Sequence, residues 1–403
     1  MYKFAIGLFA STTGLFSEHL LAQDDARSDG FEKWLLASFM IVLGGQATAE
    51  DYTLETIAEG LNTPWSIAEL PNGGFLITER PGGLKHVDAE GVVTDIAGVP
   101  PVFAQRQGGL FDVTLHPDYA NNSIIYLAYA AGDEDSNRTT IARATLEDNA
   151  LEDLEVIYGV TPTKRGGGHF GGRMAFLSDG TLLLTSGEGY TYREEAQNVE
   201  NELGKLLRMT ESGTAPADNP YPTESPYVYS YGHRNPQGLI VDPETQAIWL
   251  TEHGPKGGDE LNFVEKGKNY GWPAITYGVD YSGAIISPYT ELPGMEQPAK
   301  YWVPSIATSG LALYQHDAMP SLKGQFLVGG LKARKIVAVD VSGAAPVETE
   351  PFPDVSGRVR DVRALSDGSI AVLFETAGRA IRIIPNTQVA SNRQLVRADA
   401  LAH

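Results

Sequence analysis

The sequence predicts an all-β chain folded as a six-bladed β-propeller of four-stranded antiparallel blades. Three observations carry that expectation. A unit made of a short alternating strand, a turn holding Pro, Asp, Asn or Gly, and a more apolar strand recurs six times. Asn-Gly or Asp-Gly separates the two strands of several units, and both residues tolerate the positive φ of tight type I′ hairpin turns. The 403 residues include 44 glycines and 24 prolines, a composition of many turns rather than long helices. The competing architecture is a β-sandwich whose hairpins resemble one another by accident.

The first unit runs from Ser66 to Thr78 through Pro71-Asn72-Gly73-Gly74, and the second opens at Asp112 and continues into Ile124–Tyr129. The third runs from Arg173 to Thr185 through Asp179-Gly180; the others open at Gly238, Gly310 and Asp361. These starts lie roughly 45 to 70 residues apart, which suits four-stranded blades with variable loops around a central channel. One domain over residues 50–385 is expected, because closed all-β architectures exceed the usual domain length. The Gly- and Pro-rich connection 254–283 is too long for an idle turn, so function is expected there. Residues 386–403 lose apolar periodicity and read as a C-terminal tail.

At the other end, Lys33 precedes the apolar run Trp34 to Leu43, and Ala47-Thr48-Ala49 has the small-x-small pattern of a signal-peptidase site. The run is too short to span a bilayer, so residues 1–49 read as an N-terminal extension with a signal peptide, and the mature chain as periplasmic or secreted with no stable membrane span. Asp24, Asp25 and Asp29 make a poor leader of the first thirty residues, which points to an over-extended start; a retained anchor or disordered tail is the alternative. Removing 1–49, with three basic and five acidic residues, takes the net charge from -21 to -19.

An acidic chain of this kind is unsuited to nonspecific nucleic-acid binding, which relies on Lys and Arg to displace counterions. The charge either steers a cationic electron-accepting protein or simply keeps an exported protein soluble. There is no cysteine, which excludes disulfides, zinc-thiolate sites, a thiol nucleophile and c-type haem attachment, so redox chemistry needs a separate cofactor.

Among the eight histidines, His169 stands between glycines in Gly166-Gly-Gly-His169-Phe-Gly-Gly-Arg173, where the missing side chains let a ligand approach. A neutral imidazole there can act as general base, and Glu188, just past the next strand, can orient it. Arg234 and Asn235 lie in a glycine-flanked loop where a guanidinium can clamp a carboxylate or oxyanion; His233 reads as structural or as a site wall. In Glu252-His-Gly254-Pro255-Lys-Gly-Gly-Asp259-Glu260-Leu-Asn262, exposed carbonyls beside hard oxygen ligands suit calcium, although no EF-hand spacing is present. Lys332, Arg358 and Arg360 are conspicuous cations, and strand alternation sets both arginines on one face, apt for a multiply anionic ligand. Each of these residues also has a plain structural or solvent-exposed explanation.

Gln107-Gly-Gly-Leu, His169-Phe-Gly-Gly-Arg, Tyr231-Gly-His-Arg-Asn-Pro-Gln-Gly, Glu252-His-Gly-Pro-Lys-Gly-Gly-Asp-Glu, Gly267-Lys-Asn-Tyr-Gly-Trp-Pro and Arg358-Val-Arg-Asp occur in that order. Over residues 52–385 the chain thereby resembles the soluble glucose/sorbosone dehydrogenase family, in particular periplasmic aldose sugar dehydrogenases that use pyrroloquinoline quinone (PQQ). The resemblance implies a six-bladed propeller that oxidises the anomeric carbon of aldoses to lactones. It implies His169 as the base that takes the anomeric hydroxyl proton as hydride passes to the quinone. It also implies quinone contacts from Gln107, Arg234, Asn235, Lys332, Arg358 and Arg360. Main-chain oxygens of Gly254 and Pro255 would hold the Ca2+ that polarises the quinone, and Glu260 and Tyr270 match a second, structural calcium site. Glu188 and Ser305 stand where the soluble glucose dehydrogenases carry aspartate and threonine, a pattern of the aldose sugar dehydrogenase branch. With no cytochrome module, electrons would leave to an external acceptor, a quinone or a cytochrome. The rival functions are a calcium-dependent, lactonase-like propeller hydrolase and a noncatalytic propeller that binds proteins or glycans.

Overall fold

In each repeat the second strand is the more apolar one, and the structure covers it on both faces. Phe75–Glu79, Leu182–Ser186 and Ile370–Phe374 are buried at all five positions. A strand with no side facing water must lie between layers, and here the layers are neighbouring blades. The structure is a computed structural model that describes residues 52–386. The expected leader, 1–49, and the expected tail beyond Asn386 lie outside the described residues.

Six four-stranded antiparallel sheets follow one another along the chain. Blade 1 consists of Pro64–Glu69, Phe75–Glu79, Gly83–Val87 and Val93–Asp95. Blades 2 to 5 open with Leu110–Leu115, Met174–Phe176, Pro236–Val241 and Thr308–Tyr314. Blade 6 contains Val359–Ala364, Ile370–Phe374 and Arg379–Pro385, and is completed from the other end: Tyr52–Ala58 pairs with Arg379–Pro385, Tyr52 opposite Pro385. That closing strand precedes the first repeat, so the repeat pattern does not disclose it. The apolar core lies between blades, as where Leu76 and Leu84 of blade 1 meet Leu110 and Leu127 of blade 2. Helix is confined, among the described residues, to Tyr119–Asn122 and the 3-10 turn Arg193–Ala196, and none is long and apolar enough to cross a membrane.

Two expectations are corrected. Gly73, Gly180 and Gly368 take φ of 86°, 81° and 86°, but Asn72, Asp179 and Asp367 do not adopt positive φ, so these turns are not type I′. Gly73 N–H donates to Leu70 O and Leu70 N–H to Gly74 O, and the same pair of bonds recurs at Leu177/Gly180/Thr181 and Leu365/Gly368/Ser369. This is the three-residue loop, a type I turn followed by a left-handed glycine. Pro71 enforces it in blade 1 because its ring holds φ near about -65°. The segment 254–283, expected as one connection, is interrupted by the strand Asp259–Val264 of blade 4.

The innermost strands also depart from simple alternation. Register shifts occur between Pro64 and Ser66, Leu110 and Val113, Pro236 and Gly238, Thr308 and Leu311, and Val359 and Asp361. A bulge places an extra residue on one strand and re-aims its side chain. The residues inside these bulges include one axial charge, Asp112, and part of the cavity lining.

At the axis, Arg173 is 1% exposed and Asp112 and Asp361 are fully buried. Arg173 Nη1 lies 3.3 Å from Asp112 Oδ1 and Nη2 lies 3.0 Å from Asp361 Oδ1, while Arg363 reaches both carboxylates. Replacing Arg173 with Met would leave two buried carboxylates short of a partner. R173M is expected to lose about 3–5 kcal/mol of unfolding free energy, whereas R165M, which breaks the exposed pair with Asp135, should lose less than about 1 kcal/mol. Guanidinium unfolding midpoints of the two variants check the contrast.

Candidate active site

A cavity of about 630 Å³ is lined in part by four bulged residues, Trp65, Phe111, Gln237 and Arg360, each from the innermost strand of a different blade. Arg80, Arg106 and Arg358 also line it, and Glu375 is its one acidic residue. Arg358 Nε donates to Glu375 Oε2 at 2.8 Å and Arg360 Nη2 to Glu375 Oε1 at 2.5 Å, so both guanidiniums meet on one carboxylate, although Arg358 precedes the strand and the bulge at Arg360 interrupts the alternation expected to align them. Burial alone would raise the Glu375 pKa, but the charges and hydrogen bonds of Arg360 and Arg358 outweigh it and hold it at about 2. Arg360 Nη1 donates to Gln237 Oε1 at 3.1 Å, while the Nε atoms of Arg80 and Arg360 are buried without a partner. Gln107 and Asn235 line the same cavity.

His169 stands beside it, its backbone N–H donating to Gln107 Oε1 at 2.8 Å. It has φ of 44°, unusual for a residue with a side chain, and the conformation is held by that bond and by Gly189 N–H on its carbonyl. Its Nδ1 lies 3.0 Å from Glu188 Oε1, both groups buried, which leaves Nε2 as the acceptor for an incoming proton. Burial, then the Arg234 charge, pushes the His169 pKa below the ordinary histidine value, against the pull of Glu188. The ring is therefore neutral at pH 7. The flanking glycines turn out to make room for protein rather than ligand: a Cβ at Gly168 would press on Tyr190, at Gly171 on the Thr185 backbone, and at Gly172 on Phe111. Of these three, only Gly171 also lines the cavity.

Arg234 joins the base to the carbonyl segment. Its carbonyl accepts from Glu188 N–H at 2.9 Å, and its Nη1 donates to Gly254 O at 2.7 Å and His253 O at 3.1 Å. Its guanidinium lies 5.1 Å from the Trp272 ring centroid. Arg234, Glu188 and Pro255 line a second cleft of about 190 Å³, also bordered by Trp272, Asp280 and Tyr281 from the long connection of blade 4. A Cβ at Gly254 would collide with the backbone of Gly257 and Gly258, so only glycine permits this gathering of carbonyls. Asp259 is committed to structure, accepting from Gly254 N–H at 3.0 Å, Ser305 Oγ at 2.5 Å and Ala307 N–H at 2.6 Å.

Behind Arg234 a narrow cleft holds Glu252, Glu260 and Tyr270. Asn262 Nδ2 donates to both carboxylates, its Oδ1 is buried without a partner, and burial followed by the Glu252 charge pushes the Glu260 pKa upward. Hard oxygens so placed suit a divalent cation. The Tyr270 hydroxyl is engaged elsewhere, donating to Phe263 O and accepting from Glu265 N–H, so only its main chain is available. His233 is structural, bonded to Ser230 and Glu252 and stacked on Tyr270.

Three anticipated cofactor contacts stand apart from the lining of the main cavity, and of these Arg234 borders the two smaller clefts instead. Lys332 is exposed, although its neighbour Leu331 lines the cavity, and Ser305 serves Asp259. Sequence reasoning missed Glu375, Gln237, Lys164 and the His253 side chain, which lines the cavity with its pKa lowered to about 3 by burial and then by Arg234. Gln237 and His253 sat inside quoted motifs. Glu375 stands just past a wholly apolar strand, outside every quoted motif.

Known proteins share this fold. A family model described as glucose/sorbosone dehydrogenase matches residues 61–382. The aldose sugar dehydrogenase YliI of Escherichia coli is 40% identical over 344 residues, covering 82% of this chain and 92% of that protein. The apo-form crystal structure of the E. coli soluble aldose sugar dehydrogenase superposes with a TM-score of 0.79 at 38% identity, over 83% of this chain and all of that one. The PQQ-bound aldose sugar dehydrogenase of Streptomyces coelicolor superposes at 0.69 with 29% identity, over 83% of this chain and 98% of that one.

The Glu375 pKa, depressed from 4.5 to about 2, gives a stability contribution that is fully present above about pH 4.5 and lost as pH falls toward 2. E375Q is expected to be about 2 kcal/mol less stable than wild type at pH 7. The gap should narrow steadily as the pH of denaturant unfolding is lowered through 4 and 3.

Proposed function

The chain belongs to the glucose/sorbosone dehydrogenase family, and we propose that it oxidises aldose sugars at the anomeric carbon to lactones with PQQ and Ca2+, passing electrons to an external quinone or cytochrome. The observation that carries this reading is a charge match beside a general base. Four guanidiniums and one carboxylate line the cavity next to His169, leaving an excess of three positive charges for a cofactor with three carboxylates. The partnerless Nε atoms of Arg80 and Arg360 are donors that such a planar polyanion can satisfy.

When bound, the quinone supplies the hydride acceptor and calcium polarises it as a Lewis acid. Arg234, Arg358, Arg360, Gln107 and Asn235 would hold the cofactor, with Lys332 and Ser305 at its periphery. The main-chain oxygens of Gly254 and Pro255 would hold calcium, and Glu260 with the Tyr270 main chain a second, structural ion. His169 Nε2 accepts the proton of the anomeric hydroxyl, and Glu188, at 3.0 Å from Nδ1, stabilises the imidazolium that forms. Export through the leader expected at residues 1–49, with 50–385 as the catalytic domain, belongs to the same reading. A hydrolase with calcium held by side chains is less well supported, since among the described residues no cluster of three His, Cys, Asp or Glu is placed to hold an ion.

The test is reconstitution of the purified protein with calcium and PQQ, then an aldose panel with an artificial dye as acceptor. Dye reduction should depend on both additions and fail after chelation. H169Q should lose at least about 100-fold in kcat while still titrating with the quinone. No reduction with any aldose would overturn the proposal, and wild-type rates in H169Q would remove His169 from it.

A further inference from the structure

Lys164 has no part in the reaction described above, yet it is only 4% exposed. Its Nζ donates to Asn137 Oδ1 at 2.9 Å and to Gly166 O at 3.0 Å, and lies 3.5 Å from the Phe170 ring centroid. Its methylenes run so close to Gly189 that a Cβ there would stand 2.6 Å from Lys164 Cδ. Phe170 follows His169 and Gly189 follows Glu188, so one side chain packs on both segments that carry the base and its carboxylate.

An ammonium enclosed with neutral acceptors is expensive to bury, and a methionine of similar length would fill the same space without that cost. The charge therefore calls for an electrostatic reason. Glu188 is the foremost anion acting on it, Glu134 the next, with Arg106 opposing. Glu188 spends Oε1 on His169 and has Oε2 buried without a partner. His169 in turn faces Glu188, Arg234, Lys164, His253 and the edge-on Tyr190 ring.

We propose that Lys164 is a positioning residue for the His169–Glu188 pair, its ammonium anchored between their two segments so that Glu188 stays aimed at Nδ1 and the imidazole stays free to accept a proton. The inference rests on His169 being the base. Lys164 and Arg234 oppose a proton on the ring while Glu188 favours one. Neutralising Lys164 removes one opposing charge, so the ring should keep its proton to higher pH. Burial lowers the Lys164 pKa to about 7 against the pull of Glu188, so the effect is largest below pH 7, where the ammonium is charged.

The experiment follows the imidazole titration of His169 by 1H–15N NMR in the full chain, its signal identified by loss in H169Q. K164M, and K164Q as a second neutral variant should K164M fail to fold, are expected to shift the His169 titration measurably upward. K164R should restore it. In the reconstituted enzyme, the acidic limb of kcat/KM for aldose oxidation should move upward by the same amount. An unmoved His169 titration in a folded neutral variant overturns the proposal, even if rates fall, because packing alone would do that. Should the wild-type holoenzyme oxidise no aldose, the functional reading fails while the NMR titration still decides the role of Lys164.

Discussion

The molecule is organised around the buried ion cluster on its axis. Asp112, Arg173, Asp361 and Arg363 balance as two anions and two cations, and three of their further hydrogen bonds tie them to the main chain of other blades. Arg173 Nε donates to Gln237 O of blade 4, Asp112 accepts from Met174 N–H of blade 3, and Asp361 accepts from Ile67 N–H of blade 1. Blade 5 takes part through Gly310, where a Cβ would collide with Asp361. Buried ion pairs are weak sources of net stability, since desolvation offsets most of their attraction. We read this one as a registry device, because its bonds form only when the innermost strands converge in the correct order and at the correct height.

That registry reaches the candidate site through the bulged residues. Gln237 gives its carbonyl to Arg173 and its side-chain oxygen to Arg360, while Arg360 turns its carbonyl toward Arg173 at 3.4 Å and its guanidinium toward Glu375. Each residue is fastened to the axis by its backbone and offers its side chain to the cavity. The neutral axis and the cationic cavity are thus adjacent but electrically distinct. Glu375 is the sole acid lining that cavity, and it spaces two guanidiniums that would otherwise repel.

The ring of blades was legible because its signal is local: hairpin turns and apolar second strands repeat along the chain. The closing strand Tyr52–Ala58 was not, since pairing with Arg379–Pro385 is a long-range event with no local signature. At the site, His169, Glu188, Arg234 and Gly254 were readable as motif residues, and bonds or close contacts connect them. Lys332 and Ser305 were readable by the same means yet stand off the lining, because sequence position does not tell on which side of a rim a side chain falls. Glu375 and Lys164 escaped notice because their importance lies in partners 15 to 27 residues or more away. The glycines around His169 were recognised correctly as a close approach, but what approaches is the protein itself.

The pairing of Tyr52–Ala58 with the last strand also bears on how the chain reaches its folded state. Blade 6 cannot be completed until Pro385 has been synthesised and brought back to Tyr52, a loop of more than three hundred residues. Until then the backbone of Tyr52–Ala58 stays open to other chains. The window for misassembly therefore extends across nearly the whole of biosynthesis, and holding Tyr52–Ala58 apart from neighbouring chains becomes a task for whatever machinery accompanies the nascent protein.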